Sequence, residues 1–426
     1  MDDSTSVTVV GAGLAGLVAA RHLADAGADV TVFERRDEVG GRVRTHHEDG
    51  FTIDRGFQVL FTGYPAVRRE LDLKALDLQA FSPGAVIARP GERSVLSDPL
   101  RDPFSLTDSL FNREVTTTDK LRTLALRQHV GSRDEAAIFA SDDAPIDDYL
   151  RDWGFSDRYI QNFVAPFYGG ITLDRSLSTS KRVFEYTFKA MSEGKIALPA
   201  DGMAAVPTQL AEGAHDGGAT IHLGEAVAAV SADDDGATVE TENRTVDADA
   251  VVVAADPRTA RRLTGVASVP TTARSSTTLY CALPDDVPLD DRRKIHLNAA
   301  ADRPNIVVPL SSVAPSYAPD DRTLLAATFL GGDALDVAEA DLLESTRDAL
   351  AAWYPERLFG GLDAVHTERI EFAQFAQPPG IHDDLPDTRD PTGPVYLAGD
   401  YTAWSSIQGA MRSGREAAEA VVVDAD

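Results

Sequence analysis

Between Val7 and Thr45 the chain reads VTVVGAGLAGLVAARHLADAGADVTVFERRDEVGGRVRT, and this stretch confines its N-terminal part to one architecture. An apolar run, Val7 to Val10, ends in Gly11-x-Gly13-x-x-Gly16; a helical pattern follows to Gly27, then a second strand, Val30 to Phe33, closed by Glu34. Gly11 lets the chain turn sharply out of the strand, Gly13 lets backbone amides approach a pyrophosphate, and Gly16 lets the helix pack against the sheet. The pyrophosphate would rest on unpaired N–H groups at the positive end of that helix, where Leu14 and Ala15 stand. Glu34, followed by Arg35, falls near the spacing at which an acid accepts hydrogen bonds from the adenosine ribose. A carboxylate there argues against the 2′-phosphate of NADP. Strand, glycines, helix and acid together predict a Rossmann-like α/β domain that binds an adenine dinucleotide.

The rest of the composition sets bounds. A chain of 426 residues is long enough for two or three domains with sizeable cores. With 43% hydrophobic and 25% charged residues it reads as a soluble globular protein. The longest run free of polar residues, Val9 to Ala20, is too short to span a bilayer and belongs to the nucleotide fold. The N-terminal apolar stretch carries the glycine fingerprint and follows Asp2 and Asp3, so it does not read as a secretory signal. Cys281 is the one cysteine, which excludes intramolecular disulfides and cysteine-rich metal sites and suggests a cytoplasmic protein. A net charge of −28, with six lysines among 40 basic residues, would repel nucleic acid and anionic lipid. The balance resembles that of halophile proteomes and reads as adaptation to a salty medium rather than as a binding surface.

Three separated segments, residues 1–60, 198–270 and 392–426, are expected to build the nucleotide domain. The second leads from Pro199 to Met203 into a helical run ending near Gly213, then strands at Thr220 to Leu223, Ala226 to Ser231, Ala237 to Thr241 and Ala250 to Ala255. The run Val246 to Pro257 reads as one buried parallel strand, with Asp256 as the cap and Pro257 as the first residue of the next helix. Residues 61–197 and 271–391 are left for a substrate domain, an α+β unit with a helical insertion. Helical patterns fall at Asp119 to His129 and Ala144 to Trp153; strands fall at Thr277 to Leu283, Ile306 to Pro309 and Thr323 to Phe329, and a helix at Asp341 to Trp353.

The segment Glu38-Val-Gly-Gly-Arg-Val-Arg-Thr45 resembles the second dinucleotide motif of the flavin-containing amine oxidase, phytoene desaturase and protoporphyrinogen oxidase superfamily. The resemblance implies FAD, with Gly40, Gly41, Arg42 and Thr45 wrapping its pyrophosphate and ribityl chain. Ile53-Asp-Arg-Gly-Phe57 matches a further element, placing Asp54, Gly56 and Phe57 near the ring system; Val227 matches a valine whose backbone touches adenine. Val395-Tyr-Leu-Ala-Gly-Asp400 and the helix from Gln408 resemble the third flavin segment. There Gly399 and Asp400 would meet the ribityl or phosphate region, and Ile407, Gln408 and Ala410 would face the flavin pyrimidine. Asn162 to Gly170 resembles the helical substrate segment of the desaturase and protoporphyrinogen oxidase branches.

Amine oxidases of this superfamily flank the flavin with two aromatic rings, one just before the C-terminal helix; Ser406 occupies that place here. Ser405-Ser-Ile-Gln-Gly-Ala410 is closer to the S-I-E-G-A of carotenoid and squalene desaturases. No histidine pattern suggests a metal or an acid–base pair, and His46-His47 reads as a solvated turn. Lys195 and Lys294 are weak candidates for a water-positioning base. Phe61, Phe163, Phe167, Tyr168 and Trp404 are candidate walls of an apolar tunnel. The resemblance therefore implies an FAD-dependent desaturase acting on a lipophilic, isoprenoid-like substrate, with hydride passing to flavin N5 and a quinone or O₂ as final acceptor. Peripheral membrane contact at the tunnel mouth stays open. So do a flavin-dependent amine oxidase, a non-redox flavin isomerase and a prenyl-lipid binding protein on the same fold.

Overall fold

A computed structural model describes residues 5–96, 116–233, 236–284, 289 and 292–425. Five parallel strands form one sheet in the order Thr220–His222, Asp29–Phe33, Ser6–Val10, Ala250–Val253, Val395–Leu397. Ser6–Val10 lies at its centre, and its valines are buried, as expected of a strand covered on both faces. The period of two sorts the neighbours by face. Val252 joins Val7, Val9 and the helices Leu14–Asp25 and Ile407–Ala425 in one core. Val251 and Val253 face the other way, onto Val239 of an antiparallel meander built from Val227–Ala232, Ala237–Thr241 and Thr245–Ala248. The two helices meet backbone to backbone: a Cβ on Gly414 would stand 2.1 Å from the carbonyl oxygen of Ala15.

The stretch from Val246 is two strands rather than the single one expected. Thr245–Ala248 pairs antiparallel within the meander, and Ala250–Val253 pairs parallel with Ser6–Val10. The break falls at Asp249, whose carboxylate accepts from the Ser6 amide at 2.7 Å and the Ser6 hydroxyl at 2.8 Å. The helix that follows, Pro257–Thr264, starts as expected, with the Asp256 side chain accepting from the Thr259 amide.

A second, seven-stranded sheet runs in the order Asp363–Phe375, Ala273–Pro284, Arg322–Leu330, Ile306–Pro309, Ile295–Asn298, Ala85–Arg89, Glu92–Leu96. Leu279, Cys281 and Leu283 pack outward under the helix Glu339–Trp353, while Tyr280 and Ala282 turn inward to the main core. The last two strands come from a stretch read as largely helical, so the helical insertion is shorter than expected. It comprises Thr117–Gly131, Glu135–Phe139, Ile146–Asp152, a continuous run from Asp157 to Thr172, and Lys181–Glu193. Within that run Ile160–Val164 forms a π turn just before Pro166. A proline in a helix lacks its amide and presses on the carbonyl four residues back; the wider turn accommodates both. Among the described residues no helix is long and apolar enough to cross a membrane.

Candidate functional site

A cavity of about 910 Å³ lies between the two sheets, at the upper end of the volumes typical of small-molecule sites. Its narrow end is made of backbone. Gly11 sits at φ +104°, where a Cβ would stand 2.8 Å from the Ala254 carbonyl oxygen, and a Cβ on Gly16 would collide with the Gly11 carbonyl at 1.9 Å. A Cβ on Gly13 would have one neighbour within reach, the Gly41 Cα at 4.0 Å, and would otherwise fill the cavity. The helix Leu14–Asp25 starts with no side-chain cap, and Leu14 and Ala15 line the cavity, so an anion there would meet free first-turn amides.

The second glycine turn closes on the first. The Gly40 amide donates to the Ala12 carbonyl at 2.7 Å, and Gly40, at φ +112°, would put a Cβ 2.2 Å from the Val43 carbonyl oxygen. Glu34, 5% exposed, accepts from the amides of Ala12 at 2.9 Å and Arg36 at 3.1 Å. Its carboxylate thus braces the glycine loop and keeps further lone pairs for a ligand hydroxyl. The Glu225 amide bonds to the Glu34 carbonyl at 2.9 Å, which brings Val227 to the cavity wall beside that acid; Arg35 lies 3.6 Å from Asp256.

Arg42 and Asp400, read from motifs at opposite ends of the chain, meet in the wall at 2.6 Å. Burial works against the Arg42 charge, and the Asp400 carboxylate beside it holds the guanidinium above its ordinary value. The other Asp400 oxygen accepts from the Ser405 hydroxyl at 2.7 Å, so the carboxylate is held from both sides. Gly56, Phe57, Gly399, Ile407 and Ala410 also line the cavity.

Five expected site residues are placed elsewhere. Asp54 is a buried brace: its carboxylate accepts from Thr45 Oγ1 at 2.5 Å, the Met203 amide at 2.8 Å and the Tyr317 hydroxyl at 2.9 Å. Those three donors compete with burial, which pushes its carboxyl above the usual range. Thr45 is turned away by the same bond. Gln408 points back into the protein, accepting from the Ala66 amide at 2.8 Å and donating to Glu135, so only the backbone at that position remains available. Lys294 is buried with Nζ donating to the Pro83 carbonyl, and Lys195 lines a smaller neighbouring cavity instead of this one.

That smaller cavity, about 470 Å³, is walled by Phe163, Tyr168, Phe184, Phe188 and other apolar groups. Phe61 lines the larger space, and Phe167, Ile196 and Ile295 line both, so the two adjoin. Trp404 lines the larger cavity while stacking edge-on to Tyr186 at 5.2 Å and donating its indole N–H to Glu135 at 3.1 Å. Sequence reasoning missed Tyr64, Arg258, Arg262, Leu297 and Ile306 in these walls. Only Ile306 lay in a stretch already read as a strand; the others carried no local signal that distinguishes wall from core.

An open glycine cradle, an uncapped helix start, a ribose-type acid and a buried arginine–aspartate pair fit FAD. Residues 14–422 match the family described as flavin containing amine oxidoreductase, and the chain belongs to that family. It is an FAD-dependent oxidoreductase. A phytoene dehydrogenase of Streptomyces griseus is 29% identical over 61% of this chain, a match spanning 56% of that relative. A probable zeta-carotene desaturase of Synechococcus elongatus is 25% identical over 98% of both chains. Among solved structures, a putative protoporphyrinogen oxidase from Exiguobacterium superposes with a TM-score of 0.74 at 19% identity, covering 99% of each chain. Putrescine oxidase bound to putrescine does so at 0.73 and 20%, again over 99% of each. At such identities the structural likeness establishes the fold alone.

Proposed function

We propose that the enzyme desaturates a long, apolar, isoprenoid-type substrate that reaches from the smaller cavity toward the Tyr64–Trp404 wall of the larger one. The observation that carries this reading is the adjoining apolar chamber, in which Lys195 is the one charged residue among the described lining groups. FAD bound in the larger cavity would supply the two-electron acceptor, with a quinone or O₂ to reoxidise it. Glu34 and Val227 would hold its adenosine, Gly13 to Ala15 with Gly41 and Arg42 its pyrophosphate, and Asp400 its ribityl hydroxyls. The chamber walls then position a C–H bond and exclude water, and no strong base is needed beside it.

Two features separate this reading from amine oxidation. Ser406 stands where an aromatic ring would flank the flavin, its hydroxyl accepting from the Gly409 amide at 2.8 Å. Tyr64 and Trp404, two of the rings that line the wall, meet edge to face at 74° and leave no parallel slot between them. Anaerobic mixing of the flavin-loaded protein with carotenoid precursors, and separately with amines, tests the assignment. Bleaching of the oxidised-flavin bands by the isoprenoids is the expected result; bleaching by amines alone would overturn it.

A further inference from the structure

We propose that His46, Glu48 and His366 form a binding site for a divalent transition metal, with Zn²⁺ the best chemical match. His46 and His47 lie on the strand Thr45–Glu48 and not in the solvated turn expected of them. On a strand, adjacent side chains face opposite ways and alternate ones share a face. His47 therefore turns to Thr52 Oγ1 at 3.2 Å, while His46 and Glu48 point together at the neighbouring sheet. The third ligand comes from the distant edge strand Asp363–Phe375, which is why no spacing in the sequence marks the site.

Glu48 Oε2 lies 4.0 Å from His46 Nε2 and 3.7 Å from His366 Nδ1, and one ligand atom from each residue falls within 4.8 Å of the others. Donors around a tetrahedral Zn²⁺, each about 2.0–2.2 Å from the ion, stand roughly 3.4 Å apart. To hold one, the cluster needs to contract by about 0.3–0.6 Å at the two Glu48 distances and by up to about 1.4 Å elsewhere, leaving a fourth position for water. Two imidazoles with one carboxylate suit zinc and its neighbours and disfavour calcium or magnesium.

The second observation is the support behind His366. Its far nitrogen, Nε2, faces Glu368 at 3.5 Å, and Glu368 in turn accepts from Arg55 Nε at 3.2 Å. The pair is in ion-pair contact rather than an aligned hydrogen bond, and a carboxylate drawn in behind a ligating histidine fixes which nitrogen is free for the metal. Arg55 also lines the main cavity and reaches the Gly41 carbonyl at 3.4 Å, so an ion here would tie the hairpin Thr45–Asp54 to the substrate sheet through a residue that borders the cofactor cradle. The ligand residues are partly exposed, so the ion has a path in and the variants below leave the core intact.

The test is equilibrium dialysis of untagged, flavin-loaded, EDTA-stripped protein against buffered Zn²⁺, with the metal counted per chain. The expected result is one equivalent, weakened at least tenfold by His46→Ala or His366→Ala, and about tenfold by Glu368→Gln. His47→Ala, on the opposite face, should bind like wild type, and flavin content reports that each variant is folded. Substoichiometric binding by the wild type overturns the proposal, as does equal binding by wild type and the His46→Ala/His366→Ala double variant.

Discussion

The dinucleotide cradle and the apolar chamber adjoin, yet they are walled by different kinds of group. The cradle is backbone and charge: two glycine turns bonded to each other, Glu34 on the Ala12 amide, Arg42 on Asp400. The chamber is rings, with Phe163 stacked on Phe167 at 5.5 Å and Tyr168 against Phe184 at 4.5 Å. A backbone contact requires one residue type at one position, because a single Cβ destroys it. A ring wall requires only volume, which several side chains can fill from several places. The cradle should therefore fail abruptly under substitution and the chamber gradually.

Gly13→Val is the sharpest way to break that contrast. Gly13 has an ordinary φ of −78° and free space where the side chain would go, so the protein should fold. The space filled is the one a pyrophosphate needs. FAD affinity should drop more than about a hundredfold, equivalent to roughly 3 kcal/mol, measured by flavin titration of the refolded apoprotein. Full flavin occupancy would remove the loop from the site.

Acid should act on the other region. Burial lowers His296 to about 4, and it is held beneath the chamber sheet with Nε2 2.7 Å from the Tyr354 hydroxyl. Its neighbours Ile295 and Leu297 line the cavity on the opposite face of the same strand. The folded state keeps the ring neutral, so this contribution is complete above the unfolded value of 6.5 and is lost as pH falls toward 4. At pH 5 the loss from this one group is about 2 kcal/mol. His382, lowered to about 4 by burial, adds in the same direction. Melting temperatures between pH 7 and 5 should fall, and His296→Gln should flatten the slope; an unchanged slope would mean the ring titrates alike in the folded and unfolded states.

This difference also explains what the sequence revealed. The cradle was legible almost residue by residue, since Gly11, Gly13, Gly16, Glu34, Gly40 and Gly41 each answer to a local steric or hydrogen-bonding demand. The central parallel strands and their flanking helices were legible for the same reason, as runs of one period. Asp54 was misplaced because a buried acid in a motif does not announce its partners: Met203 and Tyr317 come from remote segments. The strands Ala85–Arg89 and Glu92–Leu96 were missed because their place is set by pairing with Ile295–Asn298, not by their own pattern. Asp54→Asn sharpens this point. An amide cannot accept from all three donors, so stability should fall by about 1–2 kcal/mol in denaturant titrations. FAD occupancy of the folded protein should be unchanged; loss of flavin without loss of stability would restore Asp54 to the ligand shell.

The smallest effect is expected in the chamber, and it is the most informative about substrate shape. Phe167 borders both cavities and stacks on Phe163, so it stands at their junction. Phe167→Ala widens the junction, and neighbouring rings can relax into the space, so turnover of a long isoprenoid should change by tenfold or less while FAD binding stays the same. Phe167→Trp narrows it. If the substrate threads both spaces, that variant should lose kcat/KM for long chains while retaining it for shorter ones that fit within the larger cavity. The two substitutions thus probe one position in opposite directions. Equal losses for long and short chains in the tryptophan variant would mean that the substrate lies wholly within one cavity and that the smaller space is packing slack.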